Sequence, residues 1–209
     1  MKPKIHILFL SIFFILSFAA GCNTNVDDAN KPALLNSDEL AYFNGDAFFN
    51  GEYMNIRNQF LSSLYSVPEQ VDLSQLFYCG SGFEESYAPG EIASVEAILY
   101  SNGVIPDCSC EKNSRSNMDA VLATYMGLTL SDTEKTGLDN FTYIEEYDAY
   151  YFYHGDTNYR SAITFSAGER EGDIIRLFYE DTFMADGNKV LTLREADGSY
   201  LFVSNKMVQ

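Results

Sequence analysis

The densest hydrophobic run lies at the start of the chain. Ile5 to Leu16 (IHILFLSIFFIL) is apolar apart from His6 and Ser11. It is shorter than the ~18 apolar residues a membrane-spanning helix requires. Lys2 and Lys4 precede it, and the small residues Ala19, Ala20 and Gly21 lead into Cys22. A positive start, an apolar core and a small-residue end form a secretory signal, so residues 1–21 are expected to be removed. The stretch 23–36 (NTNVDDANKPALLN) is polar, contains Pro32 and lacks periodicity. With Cys22 it reads as a flexible tether over 22–36.

From residue 37 the pattern becomes helical. Ser37 is placed to cap a helix, with Asp38 and Glu39 in the first turn where the dipole favours acids. Leu40, Phe43 and Ala47 share a face of that helix, which runs towards Phe49 with a weak point at Asn44-Gly45. Ile56, Phe60, Leu61 and Leu64 predict a second helix over 55–65, stopped before Pro68. Residues 72–78 predict a short helix ended by Cys79-Gly80-Ser81-Gly82, residues 83–90 a loop, and residues 91–100 a further helix closed by Asn102-Gly103. The clearest helix is Ser116 to Met126. Met118, Val121, Leu122, Tyr125 and Met126 form one apolar stripe, Ser116 is the expected cap and Gly127 the residue after the last turn.

From Phe141 onward the period is two. Tyr147 to Tyr153 (YDAYYFY) carries aromatics on both faces, as an interior strand would. Ser161 to Ser166 reads as a strand, Gly168 to Gly172 as a turn with its charges outward, and Ile174 to Tyr179 as the return strand. Val190 to Arg194 and Tyr200 to Val203 form a hairpin around Asp197-Gly198. The predicted fold class is α+β. N-terminal helices (37–136) pack on a C-terminal antiparallel meander (141–205) of about four to five strands, within one domain spanning 37–209.

The residues Ala19-Ala20-Gly21-Cys22 resemble a bacterial lipobox, with Ala19 where that motif prefers Leu. The resemblance implies that Cys22 receives a diacylglycerol thioether, is exposed by cleavage and is acylated at its new amino terminus. Two or three chains give stable anchoring where one binds marginally. The implied location is a membrane, lipid-anchored and facing outside the cytoplasm, with an outer membrane open because Asn23 is not the Asp of inner-membrane retention. The stretches LNSDELAYFN, GLDNFTY, GDTNYR, GEREGD and VLTLR resemble a group of lipoproteins from anaerobic Gram-positive bacteria. That resemblance implies anchoring and no activity. The order of helices before sheet is also compatible with an NTF2-like cone, by analogy of layout alone.

Charge changes the picture more than composition does. The whole chain is at −17, and loss of Lys2 and Lys4 leaves 11 basic and 30 acidic residues, about −19. Nucleic acid needs a basic face and is excluded as a partner. Anionic lipid is disfavoured too, so membrane contact falls to the acyl chains. Acidic surfaces keep exported domains soluble, and they also suit divalent cations or cationic ligands.

Candidate chemistry is sparse. With Cys22 acylated, Cys79, Cys108 and Cys110 remain, and export permits a disulfide. A Cys108–Cys110 ring would be small and strained, which favours Cys79 with Cys108 or Cys110, against three unpaired thiols or a metal or redox role. His154 is the one imidazole outside the leader, so any Ser-His-Asp or Cys-His mechanism must use it, with Asp156 its nearest partner. No nucleophile elbow, zinc-protease helix, phosphate loop or dinucleotide fingerprint is present, and no cofactor is expected. Two carboxylates suffice for a glycosidase, but 30 acids nominate no pair. Asp181 to Asn188 (DTFMADGN), with Asp181 and Asp186, is an oxygen-rich turn that could hold calcium, though without EF-hand spacing. Strand 147–153 could line a sugar or peptide groove, although the chain has no Trp. Two functions follow as expectations: a non-catalytic module for an unidentified extracellular ligand or protein, or an extracytoplasmic hydrolase using His154 or a carboxylate pair.

Overall fold

A computed structural model describes residues 31–50, 54–100, 108–154, 162–182 and 187–208. In chain order its elements are β1 (Ala33–Leu34), α1 (Ser37–Asn44), α2 (Ile56–Gln59), α3 (Leu73–Leu76), α4 (Glu91–Leu99), β2 (Ser109–Ser114) and α5 (Arg115–Met126). Then come β3 (Thr142–Ile144), β4 (Ala149–His154), β5 (Phe165–Glu171), β6 (Ile174–Glu180), β7 (Asn188–Ala196) and β8 (Ser199–Met207). The fold is α+β. A five-stranded sheet runs β1-β5-β6-β7-β8 and a three-stranded sheet runs β2-β4-β3, with every pairing antiparallel.

Helix α5 follows its apolar stripe. Met118, Val121, Leu122 and Met126 are buried, and Gly127 takes the left-handed conformation expected after the last turn. The cap is Ser114 rather than Ser116, its hydroxyl accepting from the Asn117 N–H at 3.4 Å. Glu85 secures this strand-to-helix junction, because its Oε1 accepts from Ser114 N, Ser114 Oγ and Asn117 Nδ2 at 2.8–3.0 Å. Helix α1 is capped one residue earlier than expected, by Asn36 in a capping box with Glu39, and ends at Gly45. The expected helix over 55–65 contracts to Ile56–Gln59. Asn58 spends its amide on the Phe49 carbonyl, and Phe60, Leu61 and Tyr65 turn individually into the core.

The C-terminal sheet buries alternate residues. Ile175, Leu177 and Tyr179 of β6 and Leu191 and Leu193 of β7 face the same core as Phe202 of β8. There Phe60 stacks on Phe202 at 4.4 Å and 18°. The expected turn at 168–172 narrows to Gly172-Asp173, and β5 continues through Glu171. Its outer neighbour is β1, drawn from the stretch read as tether, which pairs Ala33 with Arg170 and Leu34 with Glu169. Gly168 allows this docking, since a Cβ there would stand 2.5 Å from Leu35 Cδ1.

The aromatic strand β4 is interior, as its composition implies, but in the smaller sheet, paired to β2 through residues 109–114. Its alternation divides two layers. Phe152 and Tyr150 turn to the main core, while Ala149 and Tyr151 pack with Ile144 and with Val95 of α4 in a second cluster. The polar sequence SCEKNS of β2 gave no strand signal, because its ladder and two buried polar side chains, Lys112 and Asn113, hold it instead of an apolar stripe.

Candidate functional site

Cys22, Asp156 and Asp186 lie outside the described residues. His154 is the last residue of β4, paired across the ladder with Ser109. Asp181 is buried with its Oδ2 3.2 Å from Lys189 Nζ. Among the described residues no group of three or more His, Cys, Asp or Glu is close enough to hold a metal ion. No helix among them is long and apolar enough to cross a membrane.

Cys79, Cys108 and Cys110 are free thiols, each half-buried. Strand β2 lies between Cys79 and Cys110, and Cys108 is close to Cys110. Cys110 shares the α4 side with Lys112 and lies against the second cluster, whereas Cys79 stands beside Glu111, which alternates to the other side. Burial pushes the Cys79 thiol up, and Glu111 pushes it further. Burial also raises the Cys110 thiol, against a hydrogen bond with Tyr153.

The most strongly built polar cluster joins α4 to the small sheet. Glu91, 1% exposed, meets Lys112 Nζ at 2.8 Å and accepts from the Tyr151 hydroxyl at 2.5 Å and the Ala88 N–H at 2.6 Å. Lys112 also donates to the Ser86 carbonyl at 2.8 Å and lies 5.4 Å from the Tyr87 ring centre. Burial raises the Glu91 carboxyl, but the hydrogen bonds from Lys112, Tyr151 and Ala88 outweigh it and hold the group below its ordinary value. Tyr151 is driven up by burial and by Glu91, and burial with neighbouring charges pushes Tyr87 up to about 12. All polar partners are consumed internally, so the cluster acts as a clamp. A cavity of about 490 Å³ beside it is lined by the turn Cys79 to Glu85, with Tyr87, Glu111 and Lys112.

A different cavity combines aromatic and charged groups in the open. It measures about 370 Å³ and is lined by Arg115 and Asp119 of α5, Leu130, Ser131 and Lys135 of the following segment, and Tyr143 and Tyr150 of β3 and β4. Tyr143 and Tyr150 are a cross-strand pair, their rings 4.9 Å apart and tilted at 44°. Tyr143 is 40% exposed, and its hydroxyl donates to Asp148 Oδ1 at 2.6 Å. Arg115 Nη1 stands 3.7 Å from that carboxylate, and hydrogen bonding to Tyr143 together with Asp148 raises the guanidinium pKa. Asp119 Oδ1 accepts the Leu130 N–H at 2.7 Å. The Ser131 hydroxyl is shared with Thr129, which donates to Asp132. Its described lining carries the Thr129 and Ser131 hydroxyls and neither a thiol nor an imidazole.

Sequence reasoning nominated strand 147–153 as a groove wall and so reached Tyr150. It missed Arg115 and Lys135, which sit in polar segments without periodicity. Tyr143 belonged to GLDNFTY, noted only for resemblance. Comparison with protein-family models, with curated proteins and with solved structures finds no match to this chain.

Proposed function

We propose that the chain is a lipoprotein held at a membrane through acylated Cys22, facing outside the cytoplasm, and that its folded domain is a non-catalytic ligand-binding module. The leader and the Ala19-Ala20-Gly21-Cys22 motif support the anchoring, and β1 sets the domain directly after a short tether. The observation that carries the binding reading is the 370 Å³ cavity in which the Tyr143–Tyr150 pair, Arg115 and Lys135 meet. Such a cavity is within the usual size range for small-ligand sites. Its one lining carboxylate, Asp119, accepts the Leu130 N–H through Oδ1, and beside it the cavity presents the tyrosine faces and the two cations.

The test uses the full chain in a bacterial host and then in detergent micelles. Radiolabelled palmitate is expected to enter the wild type and not Cys22→Ser. Thermal shift against peptidoglycan fragments, glycans and calcium is expected to show stabilisation by one ligand class, reduced in Tyr143→Ala. A ligand at 100 times its Kd adds about 2.7 kcal/mol, well within detection. Absence of label contradicts the anchoring, and absence of any stabilising compound, or hydrolysis of one, contradicts the binding reading.

A further inference from the structure

Backbone conformation singles out the same cavity. Among the described residues, three other than glycine have positive φ: Lys135 at 58°, Asp148 at 45° and Asp197 at 49°. Asp197 belongs to the Asp197-Gly198 turn of the β7–β8 hairpin, where that conformation is ordinary. Asp148 closes the loop of the β3–β4 hairpin, where the left-handed conformation is again ordinary, so Lys135 alone has no hairpin to explain it. Lys135 lines the cavity, and Asp148 holds two of its lining groups, Tyr143 and Arg115. Each such residue costs of order 1–3 kcal/mol, and such strain clusters where side-chain placement matters to function.

The charges there are unequal in availability. Asp148 is engaged by the Tyr143 hydroxyl and faces Arg115, and Asp119 receives the Leu130 N–H. Lys135 is exposed and makes no ion pair among the described residues, and Arg115 is half-exposed with Asp148 its one ion-pair partner there. An arginine carries five N–H donors, so its contacts with Asp148 and Tyr143 leave donors for a ligand. On a chain at −17, this cavity sets two cations beside an exposed tyrosine face.

We infer that this cavity binds a carboxylate-bearing saccharide, with a sugar face on Tyr143 and its carboxylate between Arg115 and Lys135. This rests on the binding-module reading and adds the ligand class. An aromatic face suits the C–H surface of a pyranose, and Arg-carboxylate contacts are among the stronger hydrogen bonds available. Attraction to an anion is expected to weaken as salt rises.

Isothermal titration of the full chain in micelles with trigalacturonate, its methyl-esterified form and the neutral trisaccharide maltotriose tests the proposal. Trigalacturonate is expected to bind at least tenfold more tightly than the ester, and Lys135→Gln, an exposed change, to weaken it about tenfold while leaving the melting temperature in place. Tyr143→Ala is expected to abolish binding. Equal affinity for acid and ester, with Tyr143→Ala still disruptive, overturns the acidic class and leaves the binding module standing. Binding indifferent to both substitutions overturns the site. No binding of any of the three overturns the saccharide class, and only an empty thermal-shift screen as well overturns the module.

Discussion

Replacing Glu91 by glutamine removes the charge from the clamp between α4 and the small sheet while keeping its shape. Wild-type Glu91 and Lys112 are 1% and 9% exposed and 2.8 Å apart, so neither charge can return to water without moving α4 or β2. Breaking a buried pair from one side costs about 3–5 kcal/mol. Lys112 keeps the Ser86 carbonyl and the Tyr87 ring, and the introduced amide keeps an acceptor for Tyr151 but turns its NH2 towards the Ala88 N–H, which places the loss at about 3 kcal/mol or more. For a chain of this size that is roughly 6–12 °C in Tm. Urea unfolding followed by tyrosine fluorescence measures it, since the chain has no Trp. Adding Lys112→Met should recover most of the loss, because no charge is then left buried. The pH dependence has a definite sign. The folded carboxyl lies below its unfolded value, so its stabilisation is present above the unfolded pKa of about 4.3 and is lost as pH falls through the folded one. The gap between wild type and Glu91→Gln should therefore close in acid. A loss under about 1 kcal/mol at pH 7, or a gap that widens in acid, refutes the clamp.

Gly168→Ala should destabilise by about 1–3 kcal/mol through overpacking against Leu35 and Leu177, and adding Leu35→Ala should relieve it, measured by urea midpoints. Phe202→Ala, which empties the site stacked on Phe60, should cost about 3–5 kcal/mol by the same assay. Cys79 and Cys110 should alkylate slowly with iodoacetamide near neutral pH and faster as pH rises past their elevated values, since burial disfavours both thiolates. Unfolding without reductant should release three titratable thiols besides Cys22, and a count of one would instead report a bridge.

Elements supported by period and punctuation were legible in the sequence. The stripe of α5, the Asp197-Gly198 hairpin and the alternation of β6 each bury the face their spacing indicates. Caps were displaced by one or two residues where another polar side chain competes, as with Asn36 ahead of Ser37 and Ser114 ahead of Ser116. Elements held by polar ladders were hidden. Strand β2 has no apolar alternation, and β1 is two residues that pair only because Gly168 admits Leu35. The cavity was half legible, because Tyr150 advertised itself in the aromatic strand. Arg115, Asp119 and Lys135 come together only through α5 and the turn at Lys135, a juxtaposition that no local pattern encodes.

The binding reading is tested most directly by observing the tyrosines. The full chain labelled with carbon-13 on its tyrosine rings can be titrated, in micelles, with whichever compound stabilises it in the thermal screen. The account predicts that the Tyr143 and Tyr150 resonances move saturably while those of Tyr42 and Tyr200, which line a separate small cavity, stay in place. Saturable shifts centred on Tyr42 and Tyr200, or none at any tyrosine while the compound binds, would contradict it.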